Sequence, residues 1–187
     1  MNDNIVQQFQ KKHESLAGIV HLVTGMSEAA DKVFSILQEK ATTKVALSEF
    51  PEEFGQKLDQ QIADKGMDVL RPPFNNTDLP AAFDTIQAGI SWSDFAIAET
   101  GAIVEFTTDD SLRLVTALPL VHISLLRASD LVTTLMEAAV PIRIFYEKNP
   151  LNANVSFISG PSRTADIEMR LILGVHGPAE THVIIVN

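Results

Sequence analysis

Short apolar runs alternate with amphipathic segments through the first half of the chain, and this alternation limits the fold more than any other feature. Ile19–Val23, Lys44–Leu47 and Met67–Leu70 are brief and mostly apolar, as buried strands are. Between the first two, Ala30, Val33, Phe34 and Leu37 recur at helical spacing in a segment capped by Ser27 and running to about Lys40. Glu52–Lys65 reads as a second helix, ended by Gly66. Strand, helix, strand in succession is the pattern of βαβ units, which build parallel sheets with helices on their faces. The expected fold class is therefore α/β, a layered, mostly parallel sheet flanked by helices.

The remaining segments fill in this plan. Asn2–Leu16 is polar, with Ile5, Val6, Phe9 and Leu16 as its few apolar positions, and reads as a surface helix or arm within residues 1–18. A helix is expected from Thr77 or Asp78 through Ala88, and then a loop, Gly89–Asp94, holding the only tryptophan, Trp92. Phe95–Ala98 and Ala102–Phe106 flank Glu99-Thr100-Gly101 as a hairpin. Asp109 or Asp110 caps a short helix that Pro119 stops, and Val121–Leu126 is a strand. Ser129 opens a helix with an apolar stripe of Leu131, Val132, Leu135, Met136 and Ala139. Ile142–Tyr146, Val155–Ile158 and His182–Val186 are the last expected strands. No repeat or long linker divides the 187 residues, so one domain over 1–187 is expected.

Composition excludes several functions. A net charge of −10 opposes a nucleic-acid surface, which needs clustered Lys and Arg. No apolar run has the length of a membrane span. Cysteine is absent, which removes disulfides, thiol nucleophiles and iron–sulfur ligation by this chain. Five scattered histidines without close pairing give no metal site, and no dinucleotide fingerprint suggests a flavin. The plain reading of localisation is cytoplasmic.

Candidate chemistry gathers between Gly160 and Pro178. The stretch reads as two Gly- and Pro-rich turns around a short helix, capped by Thr164 or Ser162, with Asp166 and Glu168 in its first turn and Gly174 at its end. Ser162, Arg163 and Thr164 at such a helix start would bind a small carboxylate or phosphate, Arg163 through its planar fork of donors. Asp166 and Glu168 compete for the same positive end. The alternative is that Arg163 pairs with one of these acids and only fixes the loop. His176, between Gly174 and Gly177, is either an acid or base near neutral pH or a turn histidine bonding a carbonyl. Glu99, at the end of an apolar run, is either a catalytic acid or nucleophile or a hairpin glutamate bonding turn amides. His122 at a strand start reads more simply as a satisfied structural histidine.

Gly160-Pro-Ser-Arg-Thr-Ala-Asp-Ile-Glu168, followed by Gly174-Val-His-Gly-Pro178, resembles the C-terminal signature of the LUD family. Ala98-Glu-Thr-Gly101 and Pro119-Leu-Val-His-Ile123 resemble two further blocks of that family, in the expected order. The resemblance covers roughly Ala88 onward. It implies a fold like that of ribose-5-phosphate isomerases and CoA transferases. It also implies a LutC-like, cluster-free subunit of an L-lactate oxidation system, whose LutA- and LutB-like partner subunits hold iron–sulfur clusters. Two other functions fit the residues: a stand-alone enzyme acting on a phosphorylated or acyl-CoA substrate through Glu99, Arg163 and His176, and a structural interaction module. A homo-oligomer is compatible with each.

Overall fold

The computed structural model describes residues 3–74, 78–167 and 170–187, with backbone only at 3, 80, 163–167 and 170–173. Six strands form a parallel sheet: β1 (Ile19–Val23), β2 (Lys44–Leu47), β3 (Asp68–Leu70), β4 (Ala88–Trp92), β7 (Val121–Arg127) and β12 (Glu180–Val186). Their order is β1-β12-β7-β4-β2-β3, every pair parallel. The α/β class expected from the alternation is the observed one.

Helices α2 (Met26–Glu39) and α3 (Glu52–Asp64) cover one face. Val33, Leu37, Phe54 and Leu58 meet Val45, Leu47, Ile90, Ile123, Leu125 and Ile184 there. Each fully buried Leu or Phe contributes roughly 1.5–3 kcal/mol over an exposed one. The N-cap of α2 is Gly25, not Ser27, and no side chain caps it. Instead Glu28 Oε2 accepts from the backbone N and the hydroxyl of Thr24, at 2.8 and 2.7 Å.

The opposite face is covered in two parts. Toward β2 lie α4 (Leu79–Asp84) and α5 (Arg113–Ala117), joined to Ala46 by Phe74, Phe83 and Val115. Toward β12 lie helix α1 (Asp3–Ser15) and a second sheet of four strands. That sheet, in order β8-β5-β6-β9, comprises β5 (Phe95–Ile97), β6 (Ala102–Thr107), β8 (Leu131–Val132) and β9 (Asn154–Ile158). The hairpin of β5 and β6 is the expected one.

Several expectations fail locally. α1 is the expected helix but neither a surface one nor an arm: Phe9 and His13 are both 0 % exposed, and Val6 and Phe9 pack on Val183 and Ile185. The segment Gly89–Asp94 is not a loop, because Ala88–Trp92 is a central strand and α4 ends at Asp84. Gly89 belongs there for a steric reason: a Cβ would run into the backbone carbonyl of Val115 on α5. The helix expected from Ser129 begins later, as α6 (Leu135–Lys148), capped by Thr134 whose hydroxyl accepts from Glu137 N. Leu131 and Val132 are strand β8, and Ile142–Tyr146 lies within α6 despite its β-prone composition.

The largest correction concerns residues 163–173. Arg163–Ile167 (β10) and Arg170–Leu173 (β11) pair antiparallel, with a register shift between Thr164 and Ile167. No helix starts at Thr164. A helix of about ten residues is marginal on its own, and Thr164, Ile167 and Ile172 favour extended backbone.

Candidate functional site

Alternation along β4 and β7 divides their side chains between the two faces. Ala88 and Ile90 join the apolar core with Ile123 and Leu125. Ser91, His122 and Ser124 therefore face the second sheet, and Ser93 follows just beyond the end of β4; all four are at most 1 % exposed. Glu105 on β6 reaches this polar row. Its Oε1 accepts from Ser91 Oγ at 2.5 Å and from Ser93 Oγ at 3.2 Å. Ser91 Oγ also bonds His122 Nε2 at 2.8 Å, and Ser93 Oγ bonds Ser124 Oγ at 2.5 Å. A carboxyl, three serines and an imidazole thus form one connected chain.

Their surroundings set their protonation. Burial pushes the Glu105 carboxyl up to about 7, outweighing the serine hydrogen bonds that favour its charged form; Asp94 nearby adds to the rise. Burial drives His122 the other way, down to about 3, helped by the neighbouring His13 and His182. His122 is therefore neutral, and Glu105 changes charge near neutral pH. A carboxyl poised there is suited to take or give a proton.

Glu105 opens onto a hollow of about 200 Å³ at the carboxyl ends of β2 and β4, walled by Ser48, Glu49, Trp92, Asp94 and Arg113. Arg113, Thr116 and Ser156 are shared with a second hollow of about 510 Å³. That one is walled also by Asp110, Gly160, Ser162 and His176. The two make a groove along α5. Glu49, Asp94 and Glu105 mark one end, Ser162 and His176 the other, and Arg113 stands between. Arg113 Nε lies 3.7 Å from Asp110 Oδ1 in an exposed pair, which holds the guanidinium only loosely. A carboxyl end for protons and a cationic middle for anions suit an elongated polar molecule.

The residues expected from the sequence are distributed as follows. Ser162 and His176 come together: His176 N donates to Ser162 Oγ at 3.3 Å, and both line the larger hollow. Gly174 donates to the Ser162 carbonyl at 2.9 Å, and its φ of 78° needs glycine, here ending a strand and not a helix. Gly177 lines the larger hollow with them. The backbones of Arg163, Thr164 and Asp166 lie in β10, and their side chains lie outside the described residues, as does all of Glu168. Glu99 is placed elsewhere. Its Oε2 accepts from Leu135 N at 2.9 Å at the start of α6, and it lines a separate hollow with Gln8, Lys11 and Lys12. The loops at Glu99 and Gly160 follow strands of the second sheet, which is why they do not share the carboxyl edge of the parallel one.

Glu105, Ser91, Ser93, Ser124 and Arg113 were not foreseen. One signal existed: Glu105 interrupts the otherwise apolar Ala102-Ile-Val-Glu-Phe106. The matching alternation of Ser91 with Ser93 and of His122 with Ser124 was hidden by reading Gly89–Asp94 as a loop. Among the described residues no group of His, Asp or Glu is arranged to hold a metal ion, and no helix is long and apolar enough to cross a membrane.

Known proteins resemble this chain in both sequence and fold. It is 32% identical over 162 residues to a lactate utilization protein C of Shouchella clausii, covering 80% of this chain and 71% of that protein. It is 35% identical over 120 residues to a lactate utilization protein C of Geobacillus kaustophilus, covering 64% of this chain but only 50% of the other. A crystal structure of a DUF162 family protein from Deinococcus radiodurans superposes with a TM-score of 0.73 over 100% of this chain and 99% of that one, at 21% identity. The LUD domain profile matches residues 6–186, nearly the whole chain, and the chain belongs to the LUD domain family.

Proposed function

We propose that the chain serves in lactate utilization as a LutC-like subunit, binding a small hydroxy or keto acid in the groove between Glu105 and His176. The observation that carries this reading is the Glu105–Ser91–His122 chain, whose carboxyl is raised to about 7 by burial and lines the same hollow as Arg113. Oxidising a hydroxy acid requires a group to take the hydroxyl proton and a cation to hold the carboxylate. Glu105 supplies the first and Arg113 the second. Electrons need a redox centre, and a chain without cysteine cannot ligate a cluster through thiolates. That centre belongs to iron–sulfur partner subunits in this reading; the shared name of the relatives supports the role in lactate utilization alone.

The test uses the purified chain and its reconstituted assembly. Lactate or pyruvate should bind the wild type, and Arg113→Ala should weaken binding about tenfold or more, the worth of a charged hydrogen bond. Glu105→Gln should retain binding while lactate-dependent reduction of an acceptor by the assembly falls. Equal affinity in wild type and Arg113→Ala would refute the groove as the acid's site.

A second reading is favoured by size. The larger hollow alone, at about 510 Å³, falls in the range that holds cofactor-sized ligands. A phosphorylated or acyl-CoA compound would lay its anionic group between Arg113 and His176. Competition of such a compound with lactate, and turnover of it by the isolated chain, separates the two.

A further inference from the structure

The polar chain does not stop at His122. Three buried polar atoms on the same side of the parallel sheet have no hydrogen-bond partner: His13 Nε2, His122 Nδ1 and Thr181 Oγ1. Topology brings them together. Thr181 on β12 is the register partner of His122 on β7. On the other side of β12, Ile19 pairs with His182, so Gly18 lies beside Thr181. The His13 ring lies directly over Gly18, so close that a Cβ there would strike its Nε2. The row runs from Gly18, just before β1, through Thr181 on β12 to His122 on β7, with His13 over one end and, at the other, His122 bonded diagonally to Ser91 on β4.

The chemistry of the three atoms is complementary. His13 Nδ1 lies 2.7 Å from the Gly101 carbonyl, which can only accept, so Nδ1 carries the proton. Burial lowers the pKa of His13, so the ring is neutral and its Nε2 is a bare acceptor. Thr181 both donates and accepts. His122 Nε2 is engaged with Ser91, leaving Nδ1 as donor or acceptor according to tautomer. Buried polar groups left unpaired are costly, and a water with two to four polar partners is the common remedy.

We infer that His13, His122 and Thr181 hold a buried water that extends the Glu105–Ser91–His122 chain into a proton relay ending on His13. This rests on the reading of Glu105 as the proton-handling group of the groove. With Glu105 protonated, its O–H donates to Ser91, Ser91 donates to His122 Nε2, and His122 Nδ1–H donates to the water. Inward transfer then breaks the Glu105 O–H and forms a new one on Ser91. The former Ser91 proton passes to His122 Nε2, and the Nδ1 proton goes through the water to His13 Nε2. Glu105 is left as an anion and His13 as a cation; burial disfavours both charges, so this state is transient and the reverse steps restore the neutral pair. A ligand that seals the groove from solvent would still leave Glu105 an inner route for its proton. His122, Thr181 and His13 are positioning residues here, since none touches the groove.

The groups that bias this path are Glu49, Asp94 and Arg113 around Glu105, and His13 and His182 around His122.

Histidine tautomers in the unliganded full chain test the relay, read from ¹⁵N ring shifts between pH 5.5 and 8.5, beside the ¹³C titration of the Glu105 carboxyl. His122 is expected to carry its proton on Nδ1 at low pH and on Nε2 at high pH, crossing over with Glu105. In Thr181→Val, which is nearly isosteric, the water is left with two polar partners, the fewest that hold one, and a methyl in place of the hydroxyl beside it, so it is expelled and Nδ1 loses its acceptor. His122 should then stay protonated on Nε2 throughout. The Glu105 midpoint should fall by roughly one pH unit, the worth of one hydrogen bond. Thr181→Ser keeps the hydroxyl and should behave as wild type. A single His122 tautomer across the range in wild type, or an unmoved Glu105 midpoint in Thr181→Val, overturns the relay and leaves the groove reading standing. Failure of Glu105 to titrate near neutral pH removes the groove reading, and the relay with it.

Discussion

Glu105→Gln isolates the energetic consequence of burying an acid beside two serines. The ordinary carboxyl value of 4.5 is raised in the fold to about 7. A group raised on folding favours the native state fully below its unfolded value, and this contribution is lost as pH rises through the folded value. The window is therefore pH 4.5 to about 7. At about 1.4 kcal/mol per pH unit, the ionised carboxyl costs the native state at most about 3–4 kcal/mol, and water in the groove reduces this toward 1. Wild-type stability alone would not reveal it. His13, His21, His122 and His182 are all lowered by burial, so their contribution is present above pH 6.5 and lost as pH falls, opposing Glu105. The difference between variant and wild type cancels the histidines. Urea unfolding of both at intervals from pH 4.5 to 8.5 should show the variant gaining about 1–3 kcal/mol relative to wild type, with the change centred between 5 and 7. A difference that stays flat over that range would refute the raised carboxyl, and with it the argument that desolvation outweighs the serine hydrogen bonds.

Three further outcomes are expected. Phe9→Ala should destabilise the fold by about 3–5 kcal/mol, as for any aromatic removed from a core; a denaturant midpoint that barely moves would return α1 to the status of an arm. Gly89→Ala should cost on the order of 1–3 kcal/mol or more, because the obstructing atom is the Val115 carbonyl on the backbone and cannot rotate away; calorimetry of the purified variant checks this. Glu99→Ala should lower stability by about 1 kcal/mol through loss of the bond to Leu135 N, and leave ligand affinity in the groove unchanged when titrated by calorimetry.

The parallel sheet was legible because its strands are short, apolar and separated by helices of clear period. Lys44–Leu47 and Glu52–Asp64 were read almost to the residue. The central strand β4 was not, because its composition answers to its neighbours. Gly89 makes room for Val115, and Ser91 serves Glu105, so two of its five residues look like a loop. Local rules fail where other demands on a residue override them. Ile142–Tyr146 is apolar and β-prone by composition yet belongs to α6, a helix whose side chains are largely exposed and packed mainly through Ala138. Ser162 and His176 stood out as polar residues among glycines and prolines, and the structure places them together. Arg113 carries no local signal, since it is α5 packing on β4 that brings it to the hollow.

The order of strands in the parallel sheet also governs how the molecule can be made. β12 lies between β1 and β7, hydrogen-bonded to both along its length. A ribosome delivers residues 19–23 long before residues 180–186. Until the latter emerge, β1 has no neighbour in the sheet, β7 shows an unpaired edge, and Phe9 on α1 has neither Val183 nor Ile185 to pack on. Contacts of such long sequence separation close late and slowly. The nascent chain must therefore hold an open strand edge and an amphipathic helix with an incompletely covered apolar face until residues 180–186 emerge, the interval in which chaperone binding or aggregation competes with folding.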